Sequence, residues 1–425
     1  LEYVNLRLVV QGRAPLKGLY HPSGNSNEAI ALIAASLLST EPCILLGVPR
    51  TETVRWMVSL AEDLGANCDW GDNRLCLHTP RLAARFHSEN IHGLVASILL
   101  LAPVLARREH ATLEWREPLR RLHTHLIALR DLGIKVDMDG QTLNLTAHRW
   151  ESQRIVLAET SVTATALTCM LAATLGKETI IYNAASEPHL RSLQHFLVAM
   201  GAQIEGIGSN LLMIRGTESL SGVTQTILPN HVEIASIAAI AAITPGHIVI
   251  DSVIPDDLVI INKTYERLGM TVILQEDSLY LPDNKSLMIS RRLEDVDVEI
   301  DTAPWPGFPS DLVAIATVVA TQANGTTLIH EKLFNNRLLF VDKLKTMGAQ
   351  IVLADSHRAV VIGPTNLRGE YLDSPDVRVG LALLAAALCA EGETVIDRAE
   401  VIDRNFEGVI QKLIALGAAI QVENI

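Results

Sequence analysis

Aromatic side chains are scarce, at 4% of 425 residues, so smaller groups than stacked rings have to fill the interior. Hydrophobic residues still reach 48%. Ala, Leu, Ile and Val carry most of them, which suits closely approaching helices and sheets. Positive charge is also in deficit: 35 Lys and Arg against 48 Asp and Glu leave a formal charge of −13. A nucleic-acid surface wants the opposite balance, so no nucleic-acid partner is expected, although a local basic cluster would suit a small anion. The five cysteines (Cys43, Cys68, Cys76, Cys169 and Cys389) form no CxxC pair, and buried free thiols in a reducing compartment are the expectation. The longest apolar run, Gly93 to Ala106, falls short of the ~20 residues a bilayer span needs. With no secretory-type opening segment, the chain reads as soluble and cytoplasmic, without a membrane partner. Its length exceeds what one ordinary core accommodates, so two domains are expected.

The chain does contain a repeat. Leu or Met, then Gly, then a non-polar residue recurs at Gly65, Gly133, Gly201, Gly269, Gly348 and Gly417, at intervals of 68, 68, 68, 79 and 69 residues. Such regularity marks one folding unit copied six times. Each glycine follows a helix-like stretch and precedes an alternating segment such as Ala349-Gln350-Ile351-Val352-Leu353. This predicts a left-handed turn from helix to strand, where glycine avoids the Cβ clash.

Between glycines each unit holds an Ala-rich stretch that is apolar nearly all round: Ala29 to Leu38, Leu94 to Leu105, Ala164 to Leu175, Ile234 to Ile243, Leu312 to Ala320 and Val379 to Ala390. A helix without a polar face must be buried on every side. A short strand-like segment such as Thr179-Ile180-Ile181-Tyr182 follows each, then a more amphipathic helix leading to the glycine. Candidate caps precede the buried helices: Ser23-Gly24-Asn25-Ser26-Asn27, Ser88-Glu89-Asn90, Thr160-Ser161, Pro229-Asn230, Pro309-Ser310-Asp311 and Ser374-Pro375-Asp376. Each is explained singly by capping; gathered at one cleft, such termini would make a site for phosphate or carboxylate groups.

Six α/β units, three per domain, resemble the enolpyruvyl transferase (EPSP synthase-like) family. Its fold is α/β, a two-domain inside-out α/β barrel with buried helices inside and sheets outside. The motifs are similar to those of the branch that acts on UDP-N-acetylglucosamine. Val10-Gln11-Gly12 with Leu16-Lys17-Gly18 resembles its opening strand and turn, and Ala303-Pro304-Trp305-Pro306-Gly307-Phe308-Pro309-Ser310-Asp311 its most distinctive loop. Phe334-Asn335-Asn336-Arg337 resembles a Phe-Glu-Asn-Arg segment, and Ile402-Asp403-Arg404 an Ile-Asp-Arg turn. The similarity runs from about Leu8 to Val422. It implies an N-terminal domain of residues 22–229 and a C-terminal domain of residues 1–21 plus 230–425.

The resemblance implies carboxyvinyl transfer from phosphoenolpyruvate to a sugar-nucleotide hydroxyl in peptidoglycan precursor synthesis, by a monomer needing neither cofactor nor metal. Asp311 takes the position of the base that deprotonates the acceptor, with N-capping as its other reading. Asp376 matches the second family carboxylate, balanced against capping by Ser374-Pro375-Asp376. Arg337, Arg378 and Arg404 match arginines that hold phosphoenolpyruvate, a task suited to the guanidinium fork; Arg404 is grouped with the catalytic pair. Asn27, Ser161 and Thr163 are candidate acceptor contacts, and Glu187 and Glu233 match positions of lesser role.

Several positions depart from the family pattern. Ser26 stands where the family has a lysine that touches phosphoenolpyruvate. Trp115 replaces the loop cysteine, so epoxides that alkylate that cysteine have no target here. The loop's glycines are gone from Leu113 to Arg121, Val95 replaces an arginine, and His123 an acceptor-binding Asp. Arg120 aligns with the loop arginine, and Arg116 or Arg121 is placed to restore the lost charge; surface decoration of an exposed turn is the other reading of all three. The substitutions leave two alternatives open: a non-catalytic or retuned paralogue that binds a nucleotide sugar or other anionic ligand, and transfer to a different hydroxyl.

Overall fold

The computed structural model describes residues 6–83, 85–86, 95–115, 118–283, 286–289, 298–373, 377–404 and 406–424. The chain divides into two compact units, Gly24–Leu228 and Leu1–Ser23 with Pro229–Ile425. Each has its own hydrophobic core, one drawn from Ala29 to Ile227, the other from Leu8 to Tyr20 and Ile234 to Ala418.

In the unit Gly24–Leu228 the central helices are Ser26–Ser36, Leu101–Arg108 and Val162–Leu175; in the other they are His231–Ile243, Val313–Gln322 and Val377–Cys389. In the discontinuous unit the three pack against one another, and in the other Leu101–Arg108 packs against both remaining helices, with sheets outside. Alanine lets the helices approach closely. Several hydroxyls within them are satisfied by their own helix: Ser36 donates to the Leu32 carbonyl at 2.7 Å, Thr168 to Ala164 at 2.9 Å, Ser236 to Val232 at 2.7 Å and Thr317 to Val313 at 2.7 Å. One helix differs from its expected form. The stretch read as Leu94 to Leu105 is a 3-10 turn, Val95–Leu100, running into the α-helix Leu101–Arg108. Pro103 explains the switch, because it has no N–H to give and is tolerated in a first α turn but not in a helix interior. Leu94 lies outside the described residues.

Among the described residues there are six sheets, one per repeat. In each, a leading strand pairs parallel with the strand after the buried helix, and two antiparallel strands complete the layer. In the third repeat, for example, Trp150–Val156 pairs with Gly176–Tyr182, followed by Leu211–Arg215 and Gln203–Glu205. All six repeat glycines have positive φ, from +82° to +123°, as the helix-to-strand turn requires. The long 79-residue interval also has a structural counterpart. Its repeat has two leading strands, Leu287–Met288 and Val298–Asp301, both parallel to Ala323–His330.

The order is cyclically displaced. Leu6–Gln11 lies between Glu393–Asp397 and Ala419–Asn424 in the last sheet, and Leu16–Tyr20 leads the fourth repeat beside Gly246–Ile250. Thr224–Thr226 leads the first repeat beside Cys43–Leu46.

Candidate active site

In the discontinuous unit, two parallel strands, Val298–Asp301 and Ala323–His330, finish side by side at Asp301 and His330. The next residues, Thr302 and Glu331, join through their side chains, Thr302 Oγ1 donating to Glu331 Oε1 at 3.0 Å. From Thr302 the chain makes a tight loop, with the Ala303 amide bonded to the Phe308 carbonyl at 3.1 Å. Gly307 is required here, since a Cβ would stand 2.5 Å from that of Ala303. The loop delivers Ser310–Leu312, a 3-10 turn that opens helix Val313–Gln322. The capping position is Pro309, which makes no side-chain cap, so Asp311 is inside the turn and is not its N-cap. Its carboxylate is 3.4 Å from Arg337 Nη1. Arg337 also donates to Ser310 Oγ and lies 4.1 Å above the Phe334 ring. A partly exposed carboxylate beside a largely buried guanidinium can accept a proton next to a bound anion.

Arg404 ends the 3-10 turn Ala399–Arg404. Its neighbour Asp403 belongs to a network that the sequence reading missed. Burial pushes the Asp403 carboxyl up to about 6; the amides of Ile410 and Val409 and the Lys412 ammonium oppose this, and Glu233 adds to it. Glu233 is fully buried and accepts from Tyr20 Oη at 2.7 Å, the Ser23 amide at 3.1 Å and Lys412 Nζ at 3.1 Å. Asp376 and the side chain of Arg378 lie outside the described residues.

In the unit Gly24–Leu228, Ser161 caps helix Val162–Leu175, accepting from the Ala164 amide at 3.3 Å. Thr163, in the first turn, shares a 2.7 Å hydrogen bond with His125 Nε2. His125 is buried, which lowers its pKa to about 4 and keeps the ring neutral near pH 7. Its signal was available: Leu122, His125, Leu126 and Leu129 share one helical face. Ser26 is buried with its hydroxyl 3.1 Å from that of Thr51, whereas Asn27 is exposed. Asn25, not Asn27, caps this helix, accepting from the amides of Asn27 and Glu28. Arg120 and Arg121 are exposed in the 3-10 turn Leu119–Leu122; Arg116 lies outside the described residues. Trp115 belongs to the apolar core, only 4% exposed with its amide bonded to the Gln141 carbonyl at 2.8 Å, and the half-buried Val95 packs against that core. Trp115, which the sequence resemblance matches to a loop cysteine, is thus packed as part of the core.

All five cysteines are free, and burial holds the Cys169 and Cys389 thiols up to about 12, which leaves them inert as nucleophiles. Among the described residues, one group has metal-ligand spacing, Glu299, Asp301 and His330; Lys332 Nζ, 2.9 Å from Asp301, already supplies a cation there. No described helix is long and apolar enough to cross a membrane.

The repeat architecture points to a class of two-unit α/β proteins, and comparison with known proteins agrees. The model of the EPSP synthase (3-phosphoshikimate 1-carboxyvinyltransferase) family matches residues 10–413, and the chain belongs to this family of carboxyvinyltransferases. Among its relatives, the UDP-N-acetylglucosamine 1-carboxyvinyltransferase of Treponema denticola is 41% identical over 98% of this chain and 99% of its own. That of Bradyrhizobium diazoefficiens is also 41% identical, over 98% of each. The crystal structure of the enolpyruvyl transferase NikO from Streptomyces tendae has the same fold, with a TM-score of 0.88 at 21% identity, covering 99% of this chain and 100% of the other.

Proposed function

We propose that this carboxyvinyltransferase moves the enolpyruvyl group of phosphoenolpyruvate onto a hydroxyl of UDP-N-acetylglucosamine, releasing phosphate, as a step in cell-wall precursor synthesis. The observation that carries the chemistry is the placement of Asp311 inside the turn, 3.4 Å from Arg337. The acceptor is suggested by relatives that share 41% of their residues with this chain over nearly its full length.

In this reading Asp311 takes the acceptor hydroxyl proton as the oxygen bonds to carbon 2 of phosphoenolpyruvate, while the protonated second carboxyl group gives its proton to carbon 3. The tetrahedral adduct then loses that proton and expels phosphate, leaving the enol ether. Arg337 binds an anionic group of phosphoenolpyruvate, and Arg378 and Arg404 share that work by their sequence positions, with Asp376 as the second carboxylate. Ser161 and Thr163, at a helix N-terminus, with the exposed Arg120 and Arg121, receive the acceptor's diphosphate. Ser26 and Asn27 supply polar contacts in place of the family lysine.

The test is phosphate release from phosphoenolpyruvate in the presence of UDP-N-acetylglucosamine. The wild type should turn over, and Asp311→Asn should lose about 10²- to 10⁴-fold in rate, the range for a missing general base. Wild-type release no faster than that of Asp311→Asn would sink the proposal for this acceptor.

A further inference from the structure

The carboxylate of Glu331 is fully buried and shares with Arg337 a common hydrogen-bond partner, Ser310 Oγ. Its Oε1 accepts from Thr302 Oγ1 at 3.0 Å, the Leu333 amide at 2.8 Å and the Phe334 amide at 3.1 Å; its Oε2 accepts from Ser310 Oγ. These donors come from two separate loops. Ser310 precedes Asp311, and Leu333 and Phe334 begin the segment that ends at Arg337. The loops meet again above the glutamate, where Arg337 donates to Ser310 Oγ, covers the Phe334 ring and faces Asp311.

The backbone of Glu331 is fixed as well. Its amide donates to the His357 carbonyl at 2.8 Å, and its own carbonyl is 2.6 Å from His357 Nδ1. A carboxyl group removed from water needs such compensation, and four converging donors supply it. A hydrophobic residue of similar size would fill the space but hold neither loop.

We propose that Glu331 is the positioning residue of the active site, a buried anchor that holds the loop of Asp311 and the loop of Arg337 in one register. The chain of contacts runs from Glu331 to Ser310, and from Ser310 to Arg337, which orients the guanidinium toward the carboxylate. Glu331 itself stays away from substrate. The inference rests on the functional reading above for its kinetic consequence, but its structural consequence is independent of the acceptor.

Three variants test it. Ser310→Ala cuts the link to Arg337 while leaving the grip of Glu331 on Thr302, Leu333 and Phe334. Ser310→Thr retains the hydroxyl. Thr302→Val removes a hydrogen bond to the same glutamate without touching Ser310, Asp311 or Arg337. In crystals of Ser310→Ala the Asp311–Arg337 contact should open beyond ion-pair distance, whereas Thr302→Val should retain it. In phosphate-release assays Ser310→Ala should lose about 100-fold in kcat/KM, the scale of an ångström misplacement. A raised KM for phosphoenolpyruvate should account for part of this, and Ser310→Thr should recover most of it. Thr302→Val should lower the melting temperature with KM unchanged. An intact Asp311–Arg337 contact in Ser310→Ala overturns the proposal whatever the acceptor, as does a KM rise in Thr302→Val matching that of Ser310→Ala. If the contact opens as expected but the wild type does not act on UDP-N-acetylglucosamine, the acceptor assignment fails and the positioning role stands.

Discussion

At the residue scale, Asp403 shows a burial cost that pH can reveal. Its folded pKa of about 6 stands above the ordinary 3.8, chiefly through burial. A raised carboxyl pKa favours the folded state fully only below the unfolded value, and that contribution is lost as pH rises through about 6. Above that pH the protein holds an ionised, poorly solvated carboxylate. Asp403→Asn cannot ionise and keeps a carbonyl oxygen to accept from the Val409 and Ile410 amides. Urea unfolding at pH 8 should find the variant more stable than the wild type, by at most on the order of 3 kcal/mol. The gain should shrink toward pH 5. A variant less stable by the same amount at both values would show that the charge is not the cost.

The sequence pointed to this turn, but for a different residue. Ile402-Asp403-Arg404 drew attention to Arg404, because an arginine in a family motif is legible as an anion ligand. The partners of Asp403 were not legible, since Glu233, Tyr20 and Lys412 come together only through tertiary packing. Glu331 was missed for the same reason. In Thr327-Leu328-Ile329-His330-Glu331 it looks like an ordinary polar strand end, and two of its four donors, Thr302 and Ser310, come from a loop distant in sequence.

At the element scale, the repeat glycines were readable because their constraint is local, a left-handed residue after a helix. What surrounds each one is not local, and this separates two otherwise equal positions. Gly133 and Gly269 have φ of +83° and +82°. A Cβ on Gly133 would find its nearest neighbour, Gln153 Nε2, at 3.8 Å, whereas on Gly269 it would lie 2.4 Å from the backbone N and O of Met288. Gly133→Ala should therefore cost only the left-handed penalty, about 1–2 kcal/mol. Gly269→Ala must also displace the strand Leu287–Met288 and should cost at least twice that, or prevent folding of its unit. Equal losses in thermal unfolding would mean that the strand yields freely.

Asparagine and glutamate recur together on a larger scale, at Asn25 and Glu28 and at Asn230 and Glu233, a pattern present in the sequence but not recognised from it. Each asparagine caps the first buried helix of its unit. Each glutamate is fully buried and receives the amide of a residue where the chain passes from one unit to the other: Leu228 to Glu28 at 3.2 Å, and Ser23 to Glu233 at 3.1 Å. The backbone repeats the tie, with Asn25 donating to the Leu228 carbonyl and Asn230 to that of Ser23. Every one of these bonds stays within its own unit.

For the whole molecule this closure has unequal consequences, because one unit is continuous in sequence and the other is not. A fragment of residues 24–228 keeps its three sheets, its separate apolar core and the tie between Glu28 and Leu228. A chain lacking residues 1–21 keeps that unit intact but removes an inner strand of one sheet, Leu6–Gln11, and an edge strand of another, Leu16–Tyr20. It also strips Tyr20 from Glu233, leaving a buried carboxylate with one donor fewer. The fragment 24–228 should unfold in urea as a single cooperative transition with helical circular dichroism. The chain 22–425 should yield, under limited proteolysis, a resistant core confined to about residues 24–228. A resistant 230–425 segment in that digest would show that the first two strands are dispensable. Failure of the fragment to fold would show that its separate core is insufficient and that this unit draws stability from the rest of the chain.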